Sequence, residues 1–203
     1  MSVRVKICGV TRADDARLAC ELGADLIGLN FYQPSPRCIP LATAREIKNA
    51  VKGRAELVGV FVNAERGFVE SIVSELALDF IQFHGDEDEH ALAGWPVPTI
   101  RALRLRSESP AELMRRTHAS YILLDSYDPV LFGGTGRALA LAHLAGIDLS
   151  RTIISGGLGP ERVAEAVALN PWAVDVASGV EYAPGLKDPS KLRSFIANAK
   201  SSR

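Results

Sequence analysis

The sequence lacks the features that mark membrane-spanning, secreted or nucleic-acid-binding proteins. No apolar run approaches the roughly 20 residues that cross a bilayer, and the segment MSVRVKICG has no long apolar stretch leading to a cleavage site. The charge is balanced, with 23 Lys and Arg residues against 24 Asp and Glu residues, and there is no basic block. We therefore expect no nucleic-acid partner and no membrane partner.

Cysteine is also scarce, and its distribution is uninformative for disulfides. Cys8, Cys20 and Cys38 are scattered, odd in number and without a CxxC pair, so neither a disulfide framework nor a zinc knuckle is indicated. This pattern is typical of a reducing compartment, and we expect a cytoplasmic protein. Hydrophobic residues are plentiful, at 47% against 23% charged, as in a globular protein with a substantial core. We expect one catalytic domain that spans residues 1–203.

Strand-like apolar runs alternate with helix-like segments along the whole chain. The eight predicted strands are VRVKIC, DLIGLNF, ELVGVFV, DFIQFHG, TIRALRL, YILLDS, TIISGG and AVDVASG. Eight such units predict a (βα)₈ TIM barrel, an α/β fold that needs at least about 200 residues, so this barrel is near the minimum size. An open doubly wound sheet is the alternative, although no GxGxxG follows the first strand.

Local signals suggest where several helices begin and end. Thr11–Asp14 and Thr43–Glu46 have the spacing of capping boxes, and Gly23 and Gly53 follow as predicted helix ends. Two further predicted starts place a proline in the first helical turn: Ser109-Pro110 and Asp188-Pro189.

In a barrel, the residues that end the strands converge on one pocket at the carboxyl-terminal face. They are Cys8, Asn30, Asn63, His84, Arg104, Asp125, Ser155 and Ser178. A thiol and a carboxylate on opposite walls suit proton transfer, one as base and the other as acid. Lys6 shares a strand face with Cys8, and we hypothesise that its charge favours the thiolate. Lys6, His84 and Asp175 are additional candidate site residues.

These residue types leave simpler roles open. A lone cysteine at a strand end is more often an inert packing residue than a reactive one, and Cys20, inside a helical segment, is expected to be of the inert kind. Asp125 has the alternative of capping its own loop with hydrogen bonds.

Two glycine-rich turns follow the last two predicted barrel strands. SGGLGPERV spans residues 155–163 and VASGVE spans residues 176–181. Backbone N–H groups at such turns bind phosphate, and barrels often place a phosphate site after strands seven and eight. The alternative is that the glycines merely permit tight turns. A third stretch, FGGTG at 132–136, lies in a long connection and suggests a mobile lid.

The segment HGDEDEH, residues 84–90, resembles a metal-ligand cluster by composition. Only His84 ends a predicted strand, and the acids are expected to open a helix, where negative charge is favourable. We therefore predict no metal site.

The chain resembles the phosphoribosylanthranilate isomerase family of tryptophan biosynthesis, which adopts the (βα)₈ fold. The matching segments, in order, are VKICGVT, GADLIGLNFYQPSPRCI, VGVFVN, IQFHGDE, LLDS, GGTG, SGGL, and DVASGVE followed by PGLKD. The resemblance implies an aldose–ketose isomerase that performs an Amadori rearrangement of N-(5'-phosphoribosyl)anthranilate, a small-molecule phosphosugar, without a cofactor.

The resemblance also implies a role for each site residue. Cys8 is the expected general base, Asp125 the expected general acid, and Arg37 the expected partner of the anthranilate carboxylate. The phosphate is expected to lie on the two glycine-rich turns, at Gly156, Gly157, Ser178 and Gly179. The expected assembly is a monomer or a homodimer.

This chain departs from the family pattern at two positions. Cys38 stands where an aromatic residue is common, and Arg137 stands where a lysine is frequent. Three other functions remain as alternatives: another phosphate-binding barrel such as a sugar-phosphate isomerase or epimerase, a metal-dependent hydrolase that uses His84 and His90, and a binding barrel without turnover.

Overall fold

Eight parallel strands close into a barrel in sequence order. A computed structural model describes residues 2–105, 109–126 and 141–201. The barrel strands are β1 (Arg4–Ile7), β2 (Leu26–Asn30), β3 (Glu56–Phe61), β4 (Phe80–Phe83), β5 (Thr99–Leu105), β6 (Tyr121–Ser126), β7 (Thr152–Ile154) and β8 (Ala173–Val176). Strand β1 pairs with β8 over four residues, which closes the sheet. The predicted barrel is confirmed, and the open sheet is excluded.

Helices cover the outside of the barrel. In the described residues they are α1 (Ala13–Leu22), α2 (Leu41–Val51), α3 (Arg66–Leu76), α4 (Pro110–Arg116), α5 (Val163–Ala168) and α6 (Pro189–Ser201). Short 3₁₀ turns lie at Leu141–Leu144 and Ser178–Val180. An antiparallel hairpin that we did not predict follows β8 and consists of β9 (Glu181–Ala183) and β10 (Leu186–Lys187). Among the described helices, none has the length and apolarity to cross a membrane.

Both predicted capping boxes are wrong. Helix α1 has Arg12 at its N-cap without a side-chain cap, and the Thr11 hydroxyl instead donates to the carbonyl oxygen of Gly185 at 2.6 Å. Thr43 lies inside α2, which begins at Leu41 after Pro40. Proline suits the start of a helix because it has no N–H to leave unpaired.

The other helix-boundary predictions fare better. Gly23 is the C-cap of α1 and lies in the left-handed region, with φ 101°, whereas the C-cap of α2 is Lys52, one residue before Gly53. Helix α4 begins at Pro110 as predicted. The Asp188 carboxylate accepts hydrogen bonds from the backbone N–H of Ser190 and of Lys191, at 2.8 and 3.0 Å, and so caps α6.

The acidic segment after β4 forms turns instead of the predicted helix. Its carboxylates accept local or neighbouring backbone bonds, such as those from Asn63 and Gly85 to Glu87, and from Ala91 to Asp88. Side chains that satisfy nearby N–H groups in this way compete with helix formation.

Alternate residues of each strand face the barrel interior, and they change character along its axis. The lower layer, at the amino-terminal ends of the strands, is apolar and comprises Leu26, Val58, Phe80, Ile100, Ala102, Leu123, Ile153 and Ala173, with Tyr121 and Trp172 packed against it. The upper layer, at the carboxyl-terminal ends, is polar and comprises Lys6, Cys8, Gln82, Asp125, Ser155 and Asp175. A larger apolar cluster lies between the strands and the helices.

Candidate active site

The upper layer is the floor of a pocket at the carboxyl-terminal ends of the strands. Its lining includes five of the eight predicted strand-end residues together with Arg37 and Asp175; those five are Cys8, Asn30, His84, Asp125 and Ser155. Ser178 lines an adjoining pocket. Asn63 and Arg104 line neither: the Asn63 side chain accepts from the backbone N–H of Asp86, and Arg104 pairs with the Asp86 carboxylate.

Cys8 immediately follows β1 and faces the pocket. Its backbone N–H donates to the carbonyl oxygen of Val176 at 2.8 Å. A Cβ at Gly28, in the adjacent strand, would lie 2.9 Å from the Cys8 Sγ, so only glycine leaves room for the thiol. Burial raises the pKa of Cys8, and the positive charges of Lys6 and Lys187 partly offset this effect.

Lys6 lies fully buried beneath the thiol. Its Nζ is 2.8 Å from the Asp175 Oδ1, and the Ser155 hydroxyl donates to the Asp175 Oδ2 at 2.9 Å. Burial opposes the charged form, but the Asp175 carboxylate outweighs it and raises the pKa of Lys6. The raised pKa favours the charged form of Lys6 near Cys8.

Asp125 is the penultimate residue of β6, lines the same pocket as Cys8 and is almost fully buried. Its Oδ1 accepts from the backbone N–H of Ser126 at 2.8 Å, and its Oδ2 lies 3.5 Å from the His84 Nε2. The Gln82 amide nitrogen lies 2.9 Å from the His84 Nδ1. The Gln82 amide and the His84 Nδ1 are thus paired, and Nε2 is the ring nitrogen that faces Asp125.

Arg37 reaches the pocket from the loop after β2. Glu181 accepts from the Arg37 Nε at 2.9 Å and from its Nη2 at 2.6 Å. Burial opposes the charge on the guanidinium, but this bidentate contact raises the pKa of Arg37. Gly9 has φ +65°, and a Cβ there would lie 2.4 Å from the Arg37 Cδ, so the glycine allows Arg37 to cross the turn after β1.

The two glycine-rich turns come together in the adjoining pocket. Gly156, Gly157, Ser178 and Gly179 line it, and it shares Asp125, Ser155, Asp175 and Ala177 with the first pocket. Gly156 and Gly157 have φ values of 77° and 63°, and a Cβ at Gly179 would lie 2.0 Å from the Leu158 carbonyl oxygen. The glycines are thus required for the turns to approach, and the backbone N–H groups there suit an anion.

Several other predictions have different outcomes. In the described ranges, no group of three or more His, Cys, Asp or Glu side chains could hold a metal ion. Cys20 packs on the outer apolar cluster, in line with its expected inert role. The FGGTG stretch at 132–136 and Arg137 lie outside the described residues.

Sequence reasoning assigned no role to five residues that shape the site: Gly9, Gly28, Gln82, Glu181 and Lys187. Glu181 and Lys187 fall in the motif segments that carry the family resemblance, but nothing in their local sequence indicates contact with Arg37 or Cys8. The Gly28 position, in the middle of a strand, is a usable signal, because glycine inside a strand often marks a close approach of another group.

Comparisons with known proteins identify the family of the chain. The family model for N-(5'phosphoribosyl)anthranilate (PRA) isomerase matches residues 5–198. The chain belongs to the N-(5'-phosphoribosyl)anthranilate isomerase family. A curated member of this family from Thiobacillus denitrificans is 44% identical over 207 residues, which cover 100% of both chains. Membership makes the chain an enzyme, an isomerase of tryptophan biosynthesis, as the resemblance implied.

Solved structures of the isomerase family superpose over almost the whole chain. A phosphoribosyl anthranilate isomerase from Thermus thermophilus is 36% identical, with a TM-score of 0.90 and coverage of 99% of this chain and 100% of that one. Another, solved in complex with reduced 1-(o-carboxyphenylamino)-1-deoxyribulose 5-phosphate, is also 36% identical, with a TM-score of 0.82 and coverage of 98% and 99%.

Proposed function

We propose that the chain converts N-(5'-phosphoribosyl)anthranilate to 1-(2-carboxyphenylamino)-1-deoxyribulose 5-phosphate, with Asp125 as general acid and Cys8 as general base. One observation carries this proposal. Cys8 and Asp125 line one pocket, which has an arginine on one side and adjoins two glycine turns on the other. A substrate with a carboxylate at one end and a phosphate at the other matches those two anion sites.

The first step opens the sugar ring. The Asp125 carboxylic acid donates its proton to the furanose ring oxygen as the bond from that oxygen to C1' breaks. The lone pair of the anthranilate nitrogen forms a C1'–N double bond, which gives a protonated Schiff base. Support for Asp125 comes from its buried position in the pocket and from His84, whose Nε2 lies 3.5 Å from the carboxylate.

The second step moves a proton from carbon. The Cys8 thiolate removes the C2' proton, the C–H electrons form a C1'–C2' double bond, and the Schiff-base nitrogen accepts the displaced pair. The resulting enolamine tautomerises to the ketone, with C1' gaining a proton and the C2' hydroxyl losing one. Lys6 supports the thiolate electrostatically because its positive charge partly offsets the rise in the pKa of Cys8 that burial causes.

The ends of the substrate are bound by separate groups. Arg37 binds the anthranilate carboxylate, and its planar fork of N–H donors suits this anion. The turns at Gly156, Gly157, Ser178 and Gly179 bind the phosphate through backbone N–H groups. Each chemical step moves protons on the substrate itself, so the proposed reaction needs no cofactor, and we expect activity to survive treatment with EDTA.

The proposal is tested by generating phosphoribosylanthranilate in situ and following the loss of its fluorescence when the purified protein is added. We expect a loss that depends on enzyme concentration, with the ketone product detected by mass spectrometry. No enzyme-dependent loss would sink the proposal. Sedimentation of the same preparation tests the predicted monomer or homodimer.

A further inference from the structure

The hairpin β9–β10 places one buried ammonium group beside three parts of the site. The Lys187 Nζ is fully buried and lies 2.6 Å from the Cys8 carbonyl oxygen, 3.2 Å from the Ala177 carbonyl oxygen and 2.8 Å from the Glu181 Oε1. An ammonium has three N–H donors, and these three acceptors use all of them. Lys187 thus joins the thiol-bearing turn, the residue that precedes the Ser178–Gly179 turn, and Glu181.

Glu181 extends this connection to the arginine in the pocket. Its two oxygens hold the Nε and Nη2 edge of Arg37, and Oε1 also accepts from Lys187. Five N–H donors are present on a guanidinium, so the two contacts with Glu181 leave donors of Arg37 for an anion in the pocket that it lines.

The charges of this group favour one further negative charge. With Arg37 and Lys187 protonated and Glu181 ionised, the buried trio carries a net positive charge. Burial lowers the pKa of Lys187, and the Glu181 carboxylate opposes this effect. Burial opposes ionisation of Glu181, but the hydrogen bonds from Arg37 and the charge of Lys187 outweigh it and lower the pKa of Glu181. A bound carboxylate would bring the group to neutrality, which suits a site shielded from water.

We propose that Glu181 and Lys187 are positioning residues, which hold the Arg37 guanidinium, the Cys8 turn and the Ala177 end of the phosphate turn in one fixed relative geometry. Glu181 sets the orientation of Arg37, which anchors the substrate carboxylate, and Lys187 sets the distance between Arg37 and Cys8. The inference rests on the proposed function, because it takes Arg37 as the carboxylate anchor and Cys8 as the base. Neither positioning residue contacts the reacting atoms.

Three variants test this proposal. Glu181→Gln keeps the size of the side chain but removes the charge that orients Arg37. Lys187→Met keeps much of the volume but removes all three donors. Lys200→Met is the matched control, because Lys200 pairs with Asp25 at 2.6 Å just before β2, at the opposite end of the barrel. Thermal unfolding of each variant reports on loss of structure.

Binding of two probes separates the carboxylate anchor from the phosphate turns. Reduced 1-(o-carboxyphenylamino)-1-deoxyribulose 5-phosphate carries both anions, whereas ribose 5-phosphate carries only the phosphate. We expect Glu181→Gln to raise the Kd of the reduced compound and the KM of the substrate about 10-fold, and to leave the Kd of ribose 5-phosphate unchanged, because only the carboxylate anchor is misplaced. Equal weakening of both probes, or of neither, would overturn the role of Glu181.

The effect of Lys187→Met is measured at Cys8, the proposed general base. We expect kcat to fall about 10-fold or more, and the pH midpoint for alkylation of Cys8 by iodoacetamide to move upward, since the Lys187 charge lowers the pKa of Cys8. Lys200→Met should match the wild type in both measurements. An unchanged kcat and alkylation midpoint in Lys187→Met would overturn its role.

The two proposals fail in distinguishable ways. A wild-type protein without turnover contradicts the proposed function, while the Kd and alkylation measurements, which need no turnover, still test whether Glu181 and Lys187 hold Arg37 and the Cys8 turn in place. A wild-type protein with turnover, and with Glu181→Gln and Lys187→Met at wild-type values, contradicts the positioning role alone.

Discussion

The lower and upper layers of the barrel interior are built from the same alternation of strand residues but have opposite compositions. The lower layer consists of apolar side chains and closes on the Phe80, Tyr121 and Trp172 rings, whose centroids lie 4.0 to 5.8 Å apart. The upper layer contains buried charges such as Lys6 and Asp175. The contrast separates an apolar layer, which stabilises the fold, from a polar layer, which lines the candidate site.

The two layers also differ in how completely their groups are satisfied. Burial of the apolar side chains in the lower layer stabilises the folded state because it removes them from water. Burying charges in the upper layer adds little net stability even when the charges are paired. The Gln82 Oε1 in this layer, and the His84 Nε2 in the pocket that it floors, have no hydrogen-bond partner among the described residues. The upper layer therefore contributes donors and acceptors for a ligand at some cost in stability.

The largest expected effect is on catalysis and comes from the upper layer. Cys8→Ser and Asp125→Asn should each lower kcat by roughly 10² or more, because each removes a general acid–base group. The fluorescence assay measures the rate, and urea unfolding checks that stability is little changed. Near-normal turnover in either variant would show that its residue is not the acid or base.

The next effect is on stability and comes from the lower layer. Phe80→Ala should lower the free energy of unfolding by about 3–5 kcal/mol, because it leaves a cavity beside Tyr121 and Trp172. Urea denaturation measures this change, and Phe80→Leu serves as a milder control. The folded fraction should keep the wild-type KM. A large change in KM with little loss of stability would contradict the separation of the two layers.

Titration of the site thiol gives a smaller effect. Burial raises the pKa of Cys8, and the thiolate is the form that reacts with alkylating agents. Alkylation should therefore accelerate with pH by about tenfold per unit, up to a midpoint above that of a free cysteine peptide measured in parallel. Mass spectrometry of the Cys8 peptide distinguishes it from Cys20 and Cys38. A midpoint below that of the peptide would mean that the nearby lysines outweigh burial.

The smallest effect is at the amino-terminal rim of the lower layer. The Arg4 guanidinium lies 4.7 Å from the centre of the Trp172 ring and pairs with Glu56. Arg4→Met should cost about 1 kcal/mol in unfolding free energy, since both contacts are partly exposed to solvent. Calorimetry measures the change, and kcat should not move. A change in kcat would indicate coupling between the layers.

Most of the fold could be predicted from the sequence, because each strand is a short apolar run that carries its own signal. The local predictions of helix starts failed where side chains form hydrogen bonds with backbone groups. The acids after β4 form turns, and the Thr11 hydroxyl bonds to Gly185 instead of capping α1. Hairpin β9–β10 was missed because its strands have three and two residues, too few to show a period.

The candidate site could be predicted in part. Cys8, Arg37, Asp125 and the glycine turns all line the two adjoining pockets, because a barrel brings strand ends together whatever their distance in sequence. The contacts that orient these residues could not be predicted. They join residues such as Lys187, through its side chain, and Cys8, through its carbonyl oxygen, which are 179 positions apart, and no local pattern indicates such a pair.

The closing contacts of the upper layer have a consequence for the order of folding. Lys6 and Asp175 are 169 positions apart, and Arg37 and Glu181 are 144 apart. Contacts at such separations form late, because the chain between them must first be ordered. During synthesis, Lys6 and Arg37 leave the ribosome long before their partners. Until then, Lys6 and Arg37 lack their carboxylate partners Asp175 and Glu181. The pocket is completed only when the last strand and the hairpin pack against the first strand.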